Sequence, residues 1–545
     1  MGLALVLLAW AFAGWLLIGL GALIASRAFG FQPVRGAFCW WFWTGFATVL
    51  AVGLLAHLVL PVSGWLPVAL APFAAAGWWL ERPWRFRPKA GIAALVLFLA
   101  LLALVSSYAL TEATAQDDGL YFIQSTLWTQ RFRVVPGLAD LHPCLGYNQT
   151  YFFWVAACGV GPFADRPWVV ANGVLYLAAA APGILALARL VTRPAASVEP
   201  SDLLGAAFLA PLLDGVLTTW VSSPVPDAAV LCVSMPLLAW LVEACSRPVP
   251  AAEARLVAVA AVVATTLKQP FACVTLPVAA VALWHARRET ARFAAVIAAA
   301  ALWGVAWLVH GVILSGYPLY PLPVLGLPVD WRLPTEVAQL LSEYTRATHQ
   351  WRASRLVPPF YRADWPQRWI AYHWTLNRDF LIPAAALGLA LIALLFARAR
   401  RQHVGPAARF AVLAAAALGL WWILVPDERF AGALLWAAGF GILALLFPNR
   451  EPARSLAWAL AVAVLAGGAF VGNAFPTSLR FSLPPPPSGA ARSYELAPGE
   501  TVLVSPDGMC FELPCALRPY QSLRYRRPGD LRAGFRRPVA GPELL

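Results

Sequence analysis

Long apolar runs separated by short polar breaks dominate this chain. A helix needs roughly 20 apolar residues to cross ~30 Å of hydrocarbon. Runs of that order cover Leu3–Ala25, Phe38–Leu60, Gly64–Leu80, Gly91–Leu110, Trp168–Leu190, Leu203–Val221, Ala228–Ala244, Phe293–Leu314, Phe380–Phe396, Phe410–Val425, Phe430–Phe447 and Leu456–Val471. One stretch breaks the pattern. Leu256–Leu267 and Phe271–Trp284 flank Lys268-Gln269-Pro270, and each half makes a helix of only about 20 Å at ~1.5 Å per residue, too short to cross alone.

The arginines decide how to count that stretch, because short cytoplasmic loops carry the excess of Lys and Arg. Arg27 and Arg35 follow the first run, and Arg82, Arg85, Arg87 and Lys89 follow the third, whereas Pro61–Ser63 carries no cation. If Leu256–Trp284 were one crossing, Arg287, Arg288 and Arg292 would fall outside with the cluster at Arg398, Arg400, Arg401 and Arg409. As a hairpin it returns every short basic loop to the cytoplasm. The reading is therefore an all-α polytopic membrane protein with about 12–14 membrane segments, one of them this short hairpin. Short outer turns then hold two cations, Lys268 near the hairpin tip and Arg429.

Composition agrees with that class. Of 545 residues, 60% are hydrophobic and 12% charged, against about a quarter charged in a soluble globule. The net charge is +13, but most of it sits in short loops, so it reports orientation and not nucleic-acid binding. Met1–Ala25 is apolar from its start, without a preceding basic stretch, and reads as a first span in place of a cleaved signal. Eight cysteines lie scattered with no CxxC spacing, which argues against zinc.

Three long segments face outward: Thr111–Pro167, Gly316–Asp379 and the tail from Pro476. The domains are thus residues 1–475 in the membrane, with outer loops 111–167 and 316–379, and an extracytoplasmic cap at 476–545. Pro484–Pro487 is a stiff spacer. Thr501–Val504 and the Pro506-Asp507-Gly508 turn predict a small β-rich cap. Cys510 and Cys515 fit a disulfide there, and two free thiols equally.

The first outer segment carries Asp117-Asp118-Gly119-Leu120-Tyr121 just beyond a span. Helical spacing from Tyr121 to Arg133 then predicts an interfacial helix. Adjacent carboxylates repel, which raises one pKa and suits a general base; a solvated N-cap for the following helix is the other reading. Lys268 and Arg429 suit a lipid phosphate near the outer leaflet. Their structural readings are interfacial snorkelling for Lys268 and a local pair with Asp427 or Glu428 for Arg429. Asp214, inside the sixth run, is a costly intramembrane carboxylate, either functional or capping a helix break. Asp227 reads as an N-cap. His142 and His373 could orient an acceptor or phosphate, or serve the fold. No Walker loop, GxSxG or HExxH is present.

The acidic pair spaced Asp-acid-x-x-Tyr outside a span resembles the C-type (GT-C fold) glycosyltransferases, which take sugars from polyprenyl phosphates on the outer face. Thr265-Thr266-Leu267-Lys268 looks like the family's Thr-Lys element, and Pro426-Asp427-Glu428-Arg429-Phe430 like its Arg-aromatic turn. In those relatives the acidic loop follows the first span; here it follows the fourth. The resemblance implies Asp117 as catalytic base and Asp118 as acceptor-positioning partner. Lys268, Arg429, Tyr121, His142 and Asp214 would be substrate-binding residues. It implies no cofactor, although two adjacent carboxylates could also hold a divalent metal ion. The partners would be a polyprenyl-phosphate sugar and membrane lipid, in a bacterial inner membrane with the site facing the periplasm. Residues Val134–Pro143 with Tyr147-Asn148, Gly316–Pro321, and Gly529-Asp530 with Gly534–Arg536 are similar to uncharacterised bacterial polytopic proteins. The expected activity is inverting sugar transfer to an extracytoplasmic hydroxyl. The alternatives are a flippase for lipid-linked saccharides and a non-catalytic subunit of envelope-polysaccharide assembly.

Overall fold

The described parts of the apolar runs fold as α-helices, the conformation that satisfies each backbone N–H and C=O within its own segment. The computed structural model describes residues 1–32, 37–86, 91–115, 117–192, 199–213, 220–351, 364–376, 378–402, 404–446, 480–506, 509–516, 518 and 522–537. The first four long helices are α1 (Gly2–Arg27), α2 (Ala37–His57), α3 (Trp65–Glu81) and α4 (Ile92–Ala109). The first outer segment then contributes α5 (Ile123–Arg131), α6 (Leu138–Leu141) and α7 (Tyr151–Ala157). Next come α8 (Trp168–Thr192), α9 (Pro200–Ala207), α10 (Leu209–Leu213), α11 (Pro226–Ser246), α12 (Ala251–Thr265), α13 (Ala272–Ala286) and α14 (Thr290–Ser315). The second outer segment holds α15 (Thr335–Trp351) and α16 (Trp365–Leu376), followed by α17 (Arg378–Ala399), α18 (Gly405–Leu424), α19 (Glu428–Ala431) and α20 (Leu434–Leu446).

Among the described residues, nine helices are long and apolar enough to cross a membrane by length and composition: α1, α2, α4, α8, α11, α13 with the turn before it, α14, α17 and α18. The run at 203–221 breaks into α9 and α10, and its remainder, including Asp214, lies outside the described residues. The run Leu456–Val471 also lies outside them.

Glycines let the first helices meet backbone to backbone. A Cβ on Gly21 of α1 would stand 1.6 Å from the Trp41 carbonyl oxygen of α2, and one on Gly77 of α3 would stand 1.9 Å from the Gly19 oxygen of α1. Any larger residue would push these helices apart.

Among the described residues, the loops holding Arg27, Glu81, Arg255 and Glu289 meet at one end of the bundle. Arg27 pairs with Glu81 at 2.9 Å. Arg255, near the start of α12, reaches Glu289 just after α13 at 2.7 Å and the Phe29 carbonyl at 2.9 Å. A helix that starts where its successor ends is half of a hairpin, so α12 and α13 form one, with residues 266–271 at the far tip.

At that far end lie the two long segments and the tail. Residues Asp118–Phe122 form a π-helical turn leading into α5. The helix expected after the acidic pair forms and is covered by the chain itself: Gln124 and Thr126 are fully buried, and the Phe535 ring packs on Trp128 at 6.1 Å. The tail supplies that cover. Strands β1 (Arg492–Ala497) and β2 (Glu500–Val504) form an antiparallel hairpin, and β3 (Cys515–Ala516) runs parallel to β2. β4 (Arg524–Tyr525) pairs antiparallel with β5 (Phe535–Arg536). A Cys510–Cys515 disulfide closes the loop before β3. The cap docks through Cys510 N–H to the Gly119 carbonyl at 2.8 Å, Phe535 N–H to that of Pro136 at 3.0 Å, and Arg526 to Asp330 at 2.9 Å.

Candidate functional site

Three turns from distant parts of the chain meet at the cap-bearing end. The first is the hairpin tip, whose path is set by hydroxyl bonds and a proline. Thr265 and Thr275 hydroxyls meet at 2.6 Å across its base. Thr266 bonds Thr150 of the first outer segment at 2.9 Å, and Gln269 donates to the Tyr320 carbonyl of the second at 2.9 Å. Pro270 sits in the first turn of the short 3-10 helix that restarts the chain. Lys268 is thereby carried inward, where its Nζ donates to Asp227 Oδ1 at 2.7 Å and lies 4.1 Å from the centre of the Phe430 ring. Asp227 stands in the first turn of α11, where the helix dipole favours a carboxylate.

The second turn is Pro426–Phe430. Asp427, fully buried, caps α19 by accepting from Arg429 N–H at 3.0 Å, and its carboxylate also pairs with the Arg429 guanidinium at 3.3 Å. Indole N–H groups of Trp369 and Trp421 hold the Pro426 and Asp427 carbonyls at 2.7 and 2.8 Å. His349, in the last turn of α15, bonds Asp427 Oδ2 through Nδ1 at 2.6 Å and packs edge-on to Phe430. His373 bonds Glu428 through Nε2 at 3.2 Å and is wholly buried. Two of the seven histidines therefore serve to hold this one turn.

The third turn is acidic, and its two aspartates have different environments. Asp118 is 2% exposed; its Oδ2 accepts from Ala115 N–H at 2.8 Å and from the Ser223 hydroxyl at 2.7 Å. Burial pushes its carboxyl up to about 7, against those two hydrogen bonds. Its side chain holds the turn against the irregular segment entering α11. Gly119 is needed beside it, because a Cβ there would come within 2.7 Å of the Met509 sulfur in the cap.

Asp117 is partly exposed and makes no hydrogen bond or ion pair among the described residues. Burial raises its carboxyl above the usual range, while Lys268 and then Arg429 pull it back, Asp227 raises it and His349 lowers it. These residues therefore share one electrostatic field. Tyr121, one turn on, is buried against Tyr147 at 5.7 Å between ring centres; burial, then Asp117, drive its hydroxyl well above its ordinary value.

The structure thus sets Lys268 and Arg429 against the Phe430 ring, with Asp117 within their electrostatic reach and Tyr121 one turn on from it. It turns Asp118 away, into the loop. His142 also stands apart: its Nδ1 accepts from Cys144 N–H at 3.1 Å, capping a 3-10 turn. Burial, then Arg537, push its imidazole down to about 4, which keeps it neutral. Two participants lacked a sequence signal of their own. Asp227 reads as an N-cap but pairs with Lys268, and His349 sits among the polar residues of α15 with nothing local to mark it. No group of three or more His, Cys, Asp or Glu side chains is placed to hold a metal ion among the described residues.

The chain belongs to the family described as Domain of unknown function (DUF8201), which matches residues 3–436. No curated protein and no solved structure matches it.

Proposed function

We propose that this chain is an integral-membrane glycosyltransferase that moves a sugar from a polyprenyl phosphate to an extracytoplasmic acceptor hydroxyl. The observation that carries the reading is that Asp117, a carboxylate with no hydrogen bond or ion pair among the described residues, lies in the electrostatic field of Lys268 and Arg429. A transferase of this kind needs a base for the acceptor proton and cations for the departing phosphate, side by side.

Asp117 takes the acceptor proton as the acceptor oxygen attacks the anomeric carbon. The bond from that carbon to the phosphate oxygen breaks on the opposite face, so configuration inverts. Polyprenyl phosphate leaves carrying the electron pair, its charge offset by Lys268 and Arg429. Partial burial strengthens Asp117 as a base, and the two cations keep it ionised. Asp118 positions the turn, while Tyr121 lines it.

The membrane placement is part of the proposal: 12–14 segments, the short basic loops in the cytoplasm and the site facing the periplasm. Its support is the nine long apolar helices among the described residues, the meeting of the Arg27 and Arg255 loops at one end, and apolar faces left open to the surroundings. Ile392 and Leu395 of α17 and Val412 and Ile423 of α18 are among those exposed side chains.

Purified protein in liposomes is given a radiolabelled polyprenyl-phosphate sugar and a mixture of membrane acceptors. Covalent label on an acceptor, with release of polyprenyl phosphate, is the expected result. Relocation of intact donor between leaflets, without transfer, would replace the enzyme with a flippase.

A further inference from the structure

Outside the acidic site, the two buried histidines His57, ending α2, and His310, within α14, meet ring to ring. They are 5% and 4% exposed. His57 Nδ1 and His310 Nε2 lie 2.9 Å apart. The outer nitrogens face oxygens: His57 Nε2 the Phe132 carbonyl at 3.1 Å, and His310 Nδ1 the Asn148 side-chain oxygen at 2.9 Å. Asn148 is held in that orientation because its Nδ2 donates to the Trp307 carbonyl at 2.6 Å. Turning the amide over would set two acceptors against each other there.

Counting protons gives the consequence. Carbonyl oxygens only accept, so both outer nitrogens must carry hydrogen. The nitrogen–nitrogen contact needs one more. Three protons on two imidazoles is one more than two neutral rings possess. Every neutral arrangement leaves one of the three contacts with two facing acceptors, at the cost of an unsatisfied buried pair.

We propose that His57 and His310 form a proton-binding site that holds one proton between the two rings. The proton fastens the first outer segment, through Phe132 and Asn148, to α2 and α14. Burial works against a cation here, and three features offset it. Two oxygens accept from the outer N–H groups, and the Phe153 ring lies 5.2 Å from His57 and 5.5 Å from His310, within range for a cation–π contact.

Among the described residues, no carboxylate acts on either ring. On the packed elements, Arg131 and Arg133 point to solvent. Asp140 and His142 lie in the field of Arg537, and Arg255 of α12 is paired with Glu289 at the opposite end. The titratable neighbour of His310 is His57.

The test uses the full chain in lipid nanodiscs with 15N-labelled histidine. At about pH 6, wild type should show one N–H···N bridge, seen by coupling between the two bridging nitrogens, with both outer nitrogens protonated. Raising the pH should remove one proton from the pair in a single transition. In His57→Asn, the His310 ring should become neutral with its proton on Nδ1. Should that variant not fold, the coupling on wild type decides alone. Two neutral rings at about pH 6, or two independent titrations, would overturn the proposal.

Discussion

Arg27 meets Glu81 with 62% of the arginine side chain exposed, whereas Lys268 meets Asp227 with 11% and 2% exposed at the other end of the same bundle. Both are single ion pairs of similar length. The first is solvated and held among loops that repeat the same sign of charge. The second is closed in by Phe430, with Arg429 and Asp117 in its field. A solvated pair contributes little to stability and fits an orienting role. Taking two charges out of water is costly, so the buried pair is weak evidence for added stability, whereas removing one partner alone leaves an uncompensated buried charge.

That contrast can be broken in graded ways. Lys268→Gln leaves Asp227 buried without its partner, and should destabilise the protein by about 3–5 kcal/mol in thermal unfolding. It also removes the cation that most lowers the Asp117 carboxyl. Asp117 then needs a higher pH to ionise, so the acid limb of the transfer profile should move to higher pH. Arg429→Gln should move it the same way by less. A limb that stays put in both variants would separate Asp117 from the cations.

Asp118→Asn reads the same turn through its structural aspartate. With its carboxyl raised from 3.8 to about 7, the folded chain holds a proton that the unfolded chain releases, so stability falls as pH rises across that window. The decline amounts to something on the order of 4 kcal/mol. Asparagine stays neutral throughout and should flatten it, visible as a smaller pH dependence of the unfolding midpoint. Asp140, pushed up to about 8 by burial, adds a decline of the same sign that the variant leaves in place. An unchanged profile would show that Asp118 is ionised in the folded chain. Arg27→Gln, at the solvated end, should cost less than ~1 kcal/mol and leave transfer intact.

Local pattern carried much of the fold. Apolar runs marked α1, α2, α4 and α8, and the arginine count required a hairpin at Lys268, which the Arg255–Glu289 pair now closes. The β-cap was legible in Thr501–Val504. Its docking on Gly119 and Pro136 was not, since those contacts join residues hundreds apart and leave no periodic trace. The site divides in the same way. Asp117, Lys268 and Arg429 broke a local rule and could be read. Asp227, His349 and the His57–His310 pair depend on partners 41, 78 and 253 residues away. The cover over the helix after the acidic pair was illegible for a related reason: amphipathic spacing identifies a covered face without saying whether lipid or the chain's own tail covers it.

The two adjacent aspartates are given different work. Wild type, Asp117→Asn and Asp118→Asn, each in liposomes, are given the same radiolabelled polyprenyl-phosphate sugar, and bound donor and covalently transferred sugar are read together. The account predicts that Asp117→Asn binds donor and unfolds at the wild-type temperature, but transfers sugar slower by about 10²–10⁴-fold. Asp118→Asn should keep most of its transfer. Transfer at the wild-type rate in Asp117→Asn would contradict it.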